Sequence, residues 1–332
     1  MRKRGTALSN IMDIIAKETN GKSYKTFKYT YEGSDVLSFA YDDHQEITWE
    51  RYGETVPPNG SINLKRKADS IANDKPLFGF FLDGSRHTYK VDDIAYKNKV
   101  YPVIAGQVGV SCCQRIDKVM HSYEFDRIEG KGIAVIQDLM IQREVAMVTK
   151  LVAEHKINNR RYLLKDGSLE YRVDHLRNDR EKRQFQKNFS FVVGVSKSFN
   201  PENCKDKKGK NNSNMIADLP LYHRTPVSMY SSPRLEGMRY AVWYLRIRDK
   251  RYTTNTFDGI LKIEKILVTD EQIHNGLETE EVDLISANII NERNPVCYGA
   301  DSRWANHLYP VYVTECFAKS KYLSDTMFLN LF

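Results

Sequence analysis

The segment that decides the fold is Pro76-Leu-Phe-Gly-Phe-Phe-Leu-Asp-Gly-Ser85. Its continuously apolar part, residues 77–82, is bounded by Asp83-Gly84-Ser85 and predicts a short strand buried on both faces. Asp83 would lie at the end of that strand, where a carboxylate is costly unless it is paired, hydrogen-bonded or metal-bound. The alternative is a hairpin turn, because Asp-Gly is a common turn signal. The sequence alone favours neither interpretation.

Strand-like and helix-like segments alternate on the C-terminal side of this run. Further strands are predicted at residues 100–110, 132–136, 162–164, 189–195, 240–247 and 260–268. Helices are predicted at residues 139–155, 174–187, 280–291 and 309–325. This interleaving predicts an α/β domain with a mixed sheet over residues 76–332. Residues 1–75 are predicted to form an N-terminal arm with a helix at 7–17 and a loop at 57–60.

Two further acidic residues are candidate site residues. Glu144 falls at the margin of the apolar stripe of the predicted helix 139–155, and Asp166 follows a strand in a second Asp-Gly-Ser unit. The carboxyl ends of strands in open α/β sheets are where sites form. For Glu144 the alternative is a glutamate at the helix edge that reaches water or pairs with a nearby basic residue. For Asp166 it is another simple turn.

Lys197 continues the alternating apolar face of residues 189–195. An ammonium group in that position can stabilise charge on a phosphoryl group during its transfer. The alternative is a lysine that emerges where the strand leaves the core.

These short motifs together resemble the NurA nuclease family in order and spacing, over roughly residues 76–325. They are Leu-Asp-Gly-Ser (82–85), Arg-Glu (143–144), Asp-Gly-Ser-Leu (166–169), Gly-Val-Ser-Lys (194–197) and Tyr-Pro (309–310). The resemblance implies an RNase H-like mixed sheet flanked by helices. It also implies a manganese- or magnesium-dependent nuclease that works as a toroidal dimer beneath a HerA-type hexameric ATPase, in DNA end resection or phage defence.

The resemblance also implies roles for individual residues. Asp83, Glu144 and Asp166 would be the metal ligands, and Lys197 would contact the scissile phosphate. Hard oxygen ligands of this kind suit magnesium and manganese. Three carboxylates converging without a metal would repel one another, so at least one pKa would be raised strongly.

The sequence departs from the family at its C-terminal histidine, which in relatives follows the Tyr-Pro segment. Here His307 precedes that segment, and Glu315 follows it. Either residue can fill the position, and we favour His307.

The charge and the cysteine content limit the class of partner and the cellular compartment that the sequence predicts. The chain has 332 residues, a formal net charge of +7 and an isoelectric point near 8.9, which suits a polyanionic partner such as DNA. Lys205, Lys207, Lys208 and Lys210 form a basic loop that could contact DNA phosphates, or simply be solvated. Five cysteines without a CxxC pair, together with no apolar signal core or membrane-length run, predict a cytoplasmic protein that does not span a membrane.

Two other functions stay open at this point. A non-catalytic DNA-binding or assembly subunit with the same fold would account for the displaced histidine. An unrelated α/β protein with three ordinary acidic turns would account for the weakness of each motif taken alone.

Overall fold

The structure is a computed structural model that describes residues 11–30, 48–131, 133–169, 179–231, 238–293 and 302–332. The strands in these ranges are β1 Lys22–Ser23, β2 Tyr29–Thr30, β3 Thr48–Tyr52, β4 Ile62–Asn63, β5 Phe78–Tyr96, β6 Lys99–Ile116, β7 Val119–Lys131, β8 Tyr162–Asp166, β9 Val192–Ser196, β10 His223–Arg224, β11 Ser228–Ser231, β12 Arg239–Arg246 and β13 Ile260–Ile266. The helices are α1 Ile11–Glu18, α2 Lys65–Ile71, α3 Ile133–Ala153, α4 Asp179–Asn188, α5 Ser213–Ala217, α6 Asp270–Asn275, α7 Thr279–Asn291, α8 Tyr309–Lys319 and α9 Asp325–Leu329.

The centre of the fold is a sheet with the order β7-β6-β5-β8-β9. β5, β6 and β7 form an antiparallel meander, whereas β8 pairs in parallel with both β5 and β9. Three consecutive antiparallel strands followed by two parallel ones are the RNase H-like arrangement. The predicted mixed α/β sheet flanked by helices is therefore confirmed. None of the described helices combines the length and low charge that a membrane span needs.

The sheet continues beyond β9 through β13, β12, β11 and β3, all antiparallel. The described part of the N-terminal arm runs along the sheet, because β1 and β2 pair with β5 while β3 pairs with β11. Glu54 of the arm is buried and accepts two hydrogen bonds from Arg224, at 2.8 and 3.1 Å. Helix α1, residues 11–18, covers residues 11–17 of the predicted 7–17 helix and extends it by one residue, and residues 7–10 lie outside the described ranges. The domain boundary at residue 76 stays a prediction.

Two apolar cores lie on opposite faces of the sheet. Phe81 and Leu164 belong to the core that contains Ile285 of α7 and Val311 of α8. Phe80 belongs to the other core, which contains residues of α3 and α4. Successive side chains of a strand point to opposite faces, so this division assigns each site residue of β5 and β8 to a face.

The prediction that the first strand ends at Leu82 is wrong. Asp83, Gly84 and Ser85 continue β5, which ends at Tyr96, and Asp83 pairs with Ser111 of β6. The hairpin turn lies instead at residues 97–98, both with positive φ. A local Asp-Gly turn signal is overridden here because the strand keeps its hydrogen-bonding partner and its buried side chains beyond residue 85.

Three other elements differ from the prediction. Residues 133–136, predicted as a strand, begin helix α3, where Ile136 is buried. Strand β7, a largely polar segment, was not predicted. The predicted helix 309–325 is two helices, since Ser324 caps a separate α9 by accepting a hydrogen bond from the Met327 backbone N–H. The first part of the predicted helix 174–187 lies outside the described residues.

Candidate active site

Asp83 is a buried carboxylate in the middle of β5. It is 5% exposed, and its Oδ2 atom has no hydrogen-bond partner in the described part of the chain. Alternation from Phe81 places it on the face covered by α7 and α8. Burial, and then repulsion by Asp166, raise the pKa of Asp83 well above its usual range, while Lys197 opposes this shift. This strongly raised pKa is what converging carboxylates are expected to produce.

Asp166 and Lys197 lie at the neighbouring strand ends. Asp166 is the last residue of β8, and Lys197 follows the last residue of β9, its parallel neighbour. Lys197 Nζ donates a hydrogen bond to Asp166 Oδ2 at 2.9 Å. Burial lowers the pKa of Lys197, but attraction to Asp166 outweighs it and the net shift is upward. Lys197 is therefore a partly buried cation that is held in its charged form.

Glu315 of α8 joins this group. Its Oε2 lies 3.9 Å from Lys197 Nζ, and its Oε1 accepts a hydrogen bond from Lys319 at 2.7 Å. α8 is fixed to the sheet because Ser111, which pairs with Asp83, donates a hydrogen bond of 2.8 Å to the Thr314 carbonyl. The acidic cluster, defined here as Asp83, Asp166 and Glu315, thus faces Lys197 on one side of the sheet.

His307, the residue favoured from sequence for the family histidine, lies just before α8. It is buried, and its ring stacks on Tyr312 with centroids 5.6 Å apart. Its backbone N–H donates to the Trp304 carbonyl at 3.1 Å. The contact with Lys197 described above is made by Glu315.

Glu144 approaches β5 from the opposite face. Its Oε1 lies 2.4 Å from the point that a Cβ on Gly84 would occupy, so this approach depends on the absence of a side chain there. Glu144 is buried beside Lys165, with 3.3 Å between Oε2 and Nζ. Lys165 Nζ also donates to the Asp166 carbonyl at 2.6 Å. Sequence reasoning missed Lys165, although a lysine in the apolar run of β8 carries the same signal as Lys197.

A second buried pair supports the turn after Asp166. Glu264 of β13 accepts hydrogen bonds from Ser168 Oγ at 2.8 Å and from the Leu169 backbone N–H at 2.7 Å. Its other oxygen lies 2.8 Å from Lys262 Nζ. Burial raises the pKa of Glu264, but Lys262 and these hydrogen bonds outweigh it, so the net shift is downward. An ionised Glu264 therefore holds the turn that positions Asp166.

The residues fit a hard divalent cation in their donor chemistry. The cluster offers only carboxylate oxygens, the type of ligand that Mg²⁺ and Mn²⁺ prefer. One of them, the buried Asp83 Oδ2, has no hydrogen-bond partner in the described ranges. Nevertheless, no three His, Cys, Asp or Glu side chains of the described residues are close enough together to hold a metal ion. Lys197 supplies the positive charge between Asp166 and Glu315.

The basic loop containing Lys205, Lys207, Lys208 and Lys210 is a structured turn. Asp206 organises it by accepting hydrogen bonds from the backbone N–H groups of Lys208 and Lys210, at 2.7 and 2.9 Å. Lys207, Lys208 and Lys210 are exposed, and Lys207 Nζ contacts Asn59 of the N-terminal arm at 2.6 Å. These lysines are available to a polyanion, and their role in DNA binding stays a prediction.

Comparison with known proteins identifies similar solved structures but no sequence relatives. No protein-family model and no curated protein matches the chain. The NurA nuclease from Sulfolobus solfataricus matches 77% of this chain and 85% of its own, at 12% identity and a TM-score of 0.45. The catalytic domain of human endonuclease V matches 77% of this chain and 93% of its own, at 12% identity and a TM-score of 0.37. At this identity the likeness concerns the fold.

Proposed function

We propose that this chain is a divalent-metal-dependent DNA nuclease that hydrolyses phosphodiester bonds. The observation that carries the proposal is the acidic cluster of Asp83, Asp166 and Glu315, which faces the charged Lys197 at the ends of parallel strands. A buried carboxylate with a strongly raised pKa costs folding free energy, so its position favours a functional role over a structural one.

The residues divide the chemistry between them. Asp83, Asp166 and Glu315 would have to draw closer together to hold Mn²⁺ or Mg²⁺, which would supply activated water and charge neutralisation at the phosphate when bound. Lys197 would exchange Asp166 for a non-bridging phosphate oxygen and stabilise its developing negative charge. Glu144, the third ligand implied by the family resemblance, would act from the other face of β5, held in place by Lys165.

The partners follow from the family resemblance and are part of the proposal. They are a second copy of the chain and a HerA-type hexameric ATPase, acting in the cytoplasm in DNA end processing or phage defence. The apolar C-terminal tail, residues 327–332, would be one surface for such contacts. Phe328 of the tail packs on its own domain, with its ring stacked 4.6 Å from Tyr89, whereas Met327 is exposed.

The second candidate is a non-catalytic DNA-binding or assembly subunit. It is favoured by the lysines that pair with the site's carboxylates, Lys197 with Asp166 and Lys165 with Glu144. Such pairs neutralise the acidic residues without a metal, as expected of a site that no longer binds one.

Cleavage of DNA by the purified protein distinguishes the two candidates. Single- and double-stranded DNA are incubated with Mn²⁺, with Mg²⁺ or with a chelator, alone and with the ATPase. The nuclease proposal expects metal-dependent cleavage that Asp83→Asn abolishes while DNA binding is retained, because binding depends on lysine–phosphate contacts elsewhere. The matched control is Asp69→Asn, which alters an exposed aspartate of α2. Binding without cleavage by the wild-type protein under every condition would favour the second candidate.

A further inference from the structure

Arg248 is a cation with two side-chain nitrogens that are buried and have no acceptor among the described residues. It follows β12, and its guanidinium lies over the Trp304 ring at 5.0 Å from the centroid. Its Nε and Nη2 atoms are buried and have no hydrogen-bond partner in the described part of the chain. A buried donor that makes no hydrogen bond is unfavourable. In a native fold we expect a water molecule or an ion to accept its hydrogen bond.

A second arginine increases the excess of positive charge. Arg293, just after α7, lies near enough to repel Arg248, and this repulsion adds to burial in lowering the pKa of Arg248. The guanidinium of Arg293 lies over the Tyr222 ring at 5.1 Å and donates to the Ile290 carbonyl at 2.7 Å. No carboxylate in the described ranges forms an ion pair with either arginine. The carboxylate nearest in sequence, Asp249, is paired with Arg251 at 3.0 Å.

We propose that Arg248 and Arg293 form a phosphate-binding subsite, with Trp304 as one wall. A guanidinium presents donors in a planar fork that matches a phosphate group, and it is the side chain most suited to partly buried recognition of that anion. An anion here would accept hydrogen bonds from the buried Nε and Nη2 atoms of Arg248 and offset the repulsion between the arginines. A second copy of this positively charged surface would not, since like charges would face each other.

The subsite lies at the same end of the strands as the acidic cluster. Asn306 links them, because its Nδ2 donates to the Lys197 carbonyl at 3.2 Å and its Oδ1 accepts from the Gly259 backbone N–H. The Gly259 carbonyl in turn accepts from the Arg248 backbone N–H at 3.3 Å. The inference that the bound phosphate belongs to a nucleic acid rests on the proposed function, whereas phosphate binding itself does not.

Fluorescence of Trp304 tests the subsite directly. Inorganic phosphate is titrated into the full chain in the presence of a chelator, so that no cleavage takes place. The proposal expects a saturable change in emission that Trp304→Phe removes. Arg248→Ala should weaken phosphate binding about 10-fold or more, the size expected for one lost charge-assisted contact. The matched control is Arg251→Ala, which removes the same charge from an exposed, carboxylate-paired arginine three residues away and should change affinity less than about 2-fold.

Arg248→Lys keeps the charge but not the planar fork, and covers the case in which the alanine variant does not fold. It should also weaken phosphate binding. Oligonucleotides with a 5′-phosphate or a 5′-hydroxyl then identify the source of the phosphate. Tighter binding of the 5′-phosphate form assigns the subsite to a strand end, and equal binding assigns it to an internal phosphodiester. Wild-type protein without a saturable response, or equal losses in Arg248→Ala and Arg251→Ala, would overturn the proposal whether or not the chain cleaves DNA.

Discussion

Lys197 donates its hydrogen bond to Asp166 across the ends of two parallel strands, at 2.9 Å between Nζ and Oδ2. The same ammonium lies 3.9 Å from Glu315 Oε2. Lys197 therefore occupies the space between two of the proposed metal ligands, and it must move toward the substrate when a cation neutralises them.

Lys197→Ala should therefore lower the rate of DNA cleavage about 10²-fold or more, through the loss of charge stabilisation in the transition state. It should not weaken metal binding, because it removes a competing cation. Single-turnover cleavage rates and Mn²⁺ affinity, measured on the same preparation, check both statements. Lys187→Ala, on the solvated helix α4, is the control. Loss of metal binding in Lys197→Ala would mean that the lysine is structural.

The raised pKa of Asp83 predicts a pH-dependent stability of the metal-free protein. Folding raises this pKa well above 3.8, the ordinary value of an aspartate. Between the two pKa values the folded state therefore holds a proton that the unfolded chain has lost. The contribution of protonated Asp83 to the free energy of unfolding is present in full at low pH. It decreases as the pH rises above about 4, toward the pKa of Asp83 in the folded state. Asp83→Asn removes this penalty, and its Tm advantage over the wild-type protein should be larger at pH about 8 than at pH about 5.

Thermal unfolding with a chelator measures this difference, with Asp69→Asn as the exposed control. Added Mn²⁺ should raise the Tm of the wild-type protein and not that of Asp83→Asn, because ligands stabilise only the state that binds them. An Asp83→Asn variant that is less stable than the wild-type protein at both pH values would show that the carboxylate serves the fold.

The approach of Glu144 to β5 depends on Gly84, which a Cβ would obstruct. Gly84→Ala should destabilise the protein by about 1–3 kcal/mol, the usual cost of overpacking a buried position. Glu144→Ala should relieve part of that cost, giving a favourable coupling of about 0.5–3 kcal/mol in a double-mutant cycle measured by chemical denaturation. Gly106→Ala, where a Cβ would meet Ile136 rather than Glu144, is the control and should show no coupling. Equal coupling at both glycines would contradict the placement of Glu144.

Strand alternation and strand-end position predict three residues of the candidate site from the sequence alone. Lys197 is predicted on the apolar face because it continues the odd-numbered positions of residues 189–195. Asp166 is a candidate because it lies at a strand end. Asp83 was identified by its unfavourable position in an apolar run. These features are local, so a single sequence contains them.

The remaining features depend on packing between distant segments. Whether β5 ends at Asp83 depends on its pairing with β6, and the role of Glu315 depends on how α8 docks through Ser111. The face from which Glu144 approaches depends on the path of α3. The buried donors of Arg248 could not be predicted at all, because a missing acceptor is a property of the whole environment.

The acidic cluster should bind Mn²⁺ in the absence of DNA, and calorimetric titration of the protein measures this binding. We expect saturable binding by the wild-type protein, weakened about 10-fold or more in both Asp83→Asn and Glu315→Gln through the loss of a ligand charge, each 1.4 kcal/mol being a factor of ten. His307→Ala should bind Mn²⁺ like the wild-type protein, since Glu315 makes the contact with Lys197. No saturable binding by the wild-type protein, or a loss in His307→Ala with none in Glu315→Gln, would show that the acidic cluster is not the metal site.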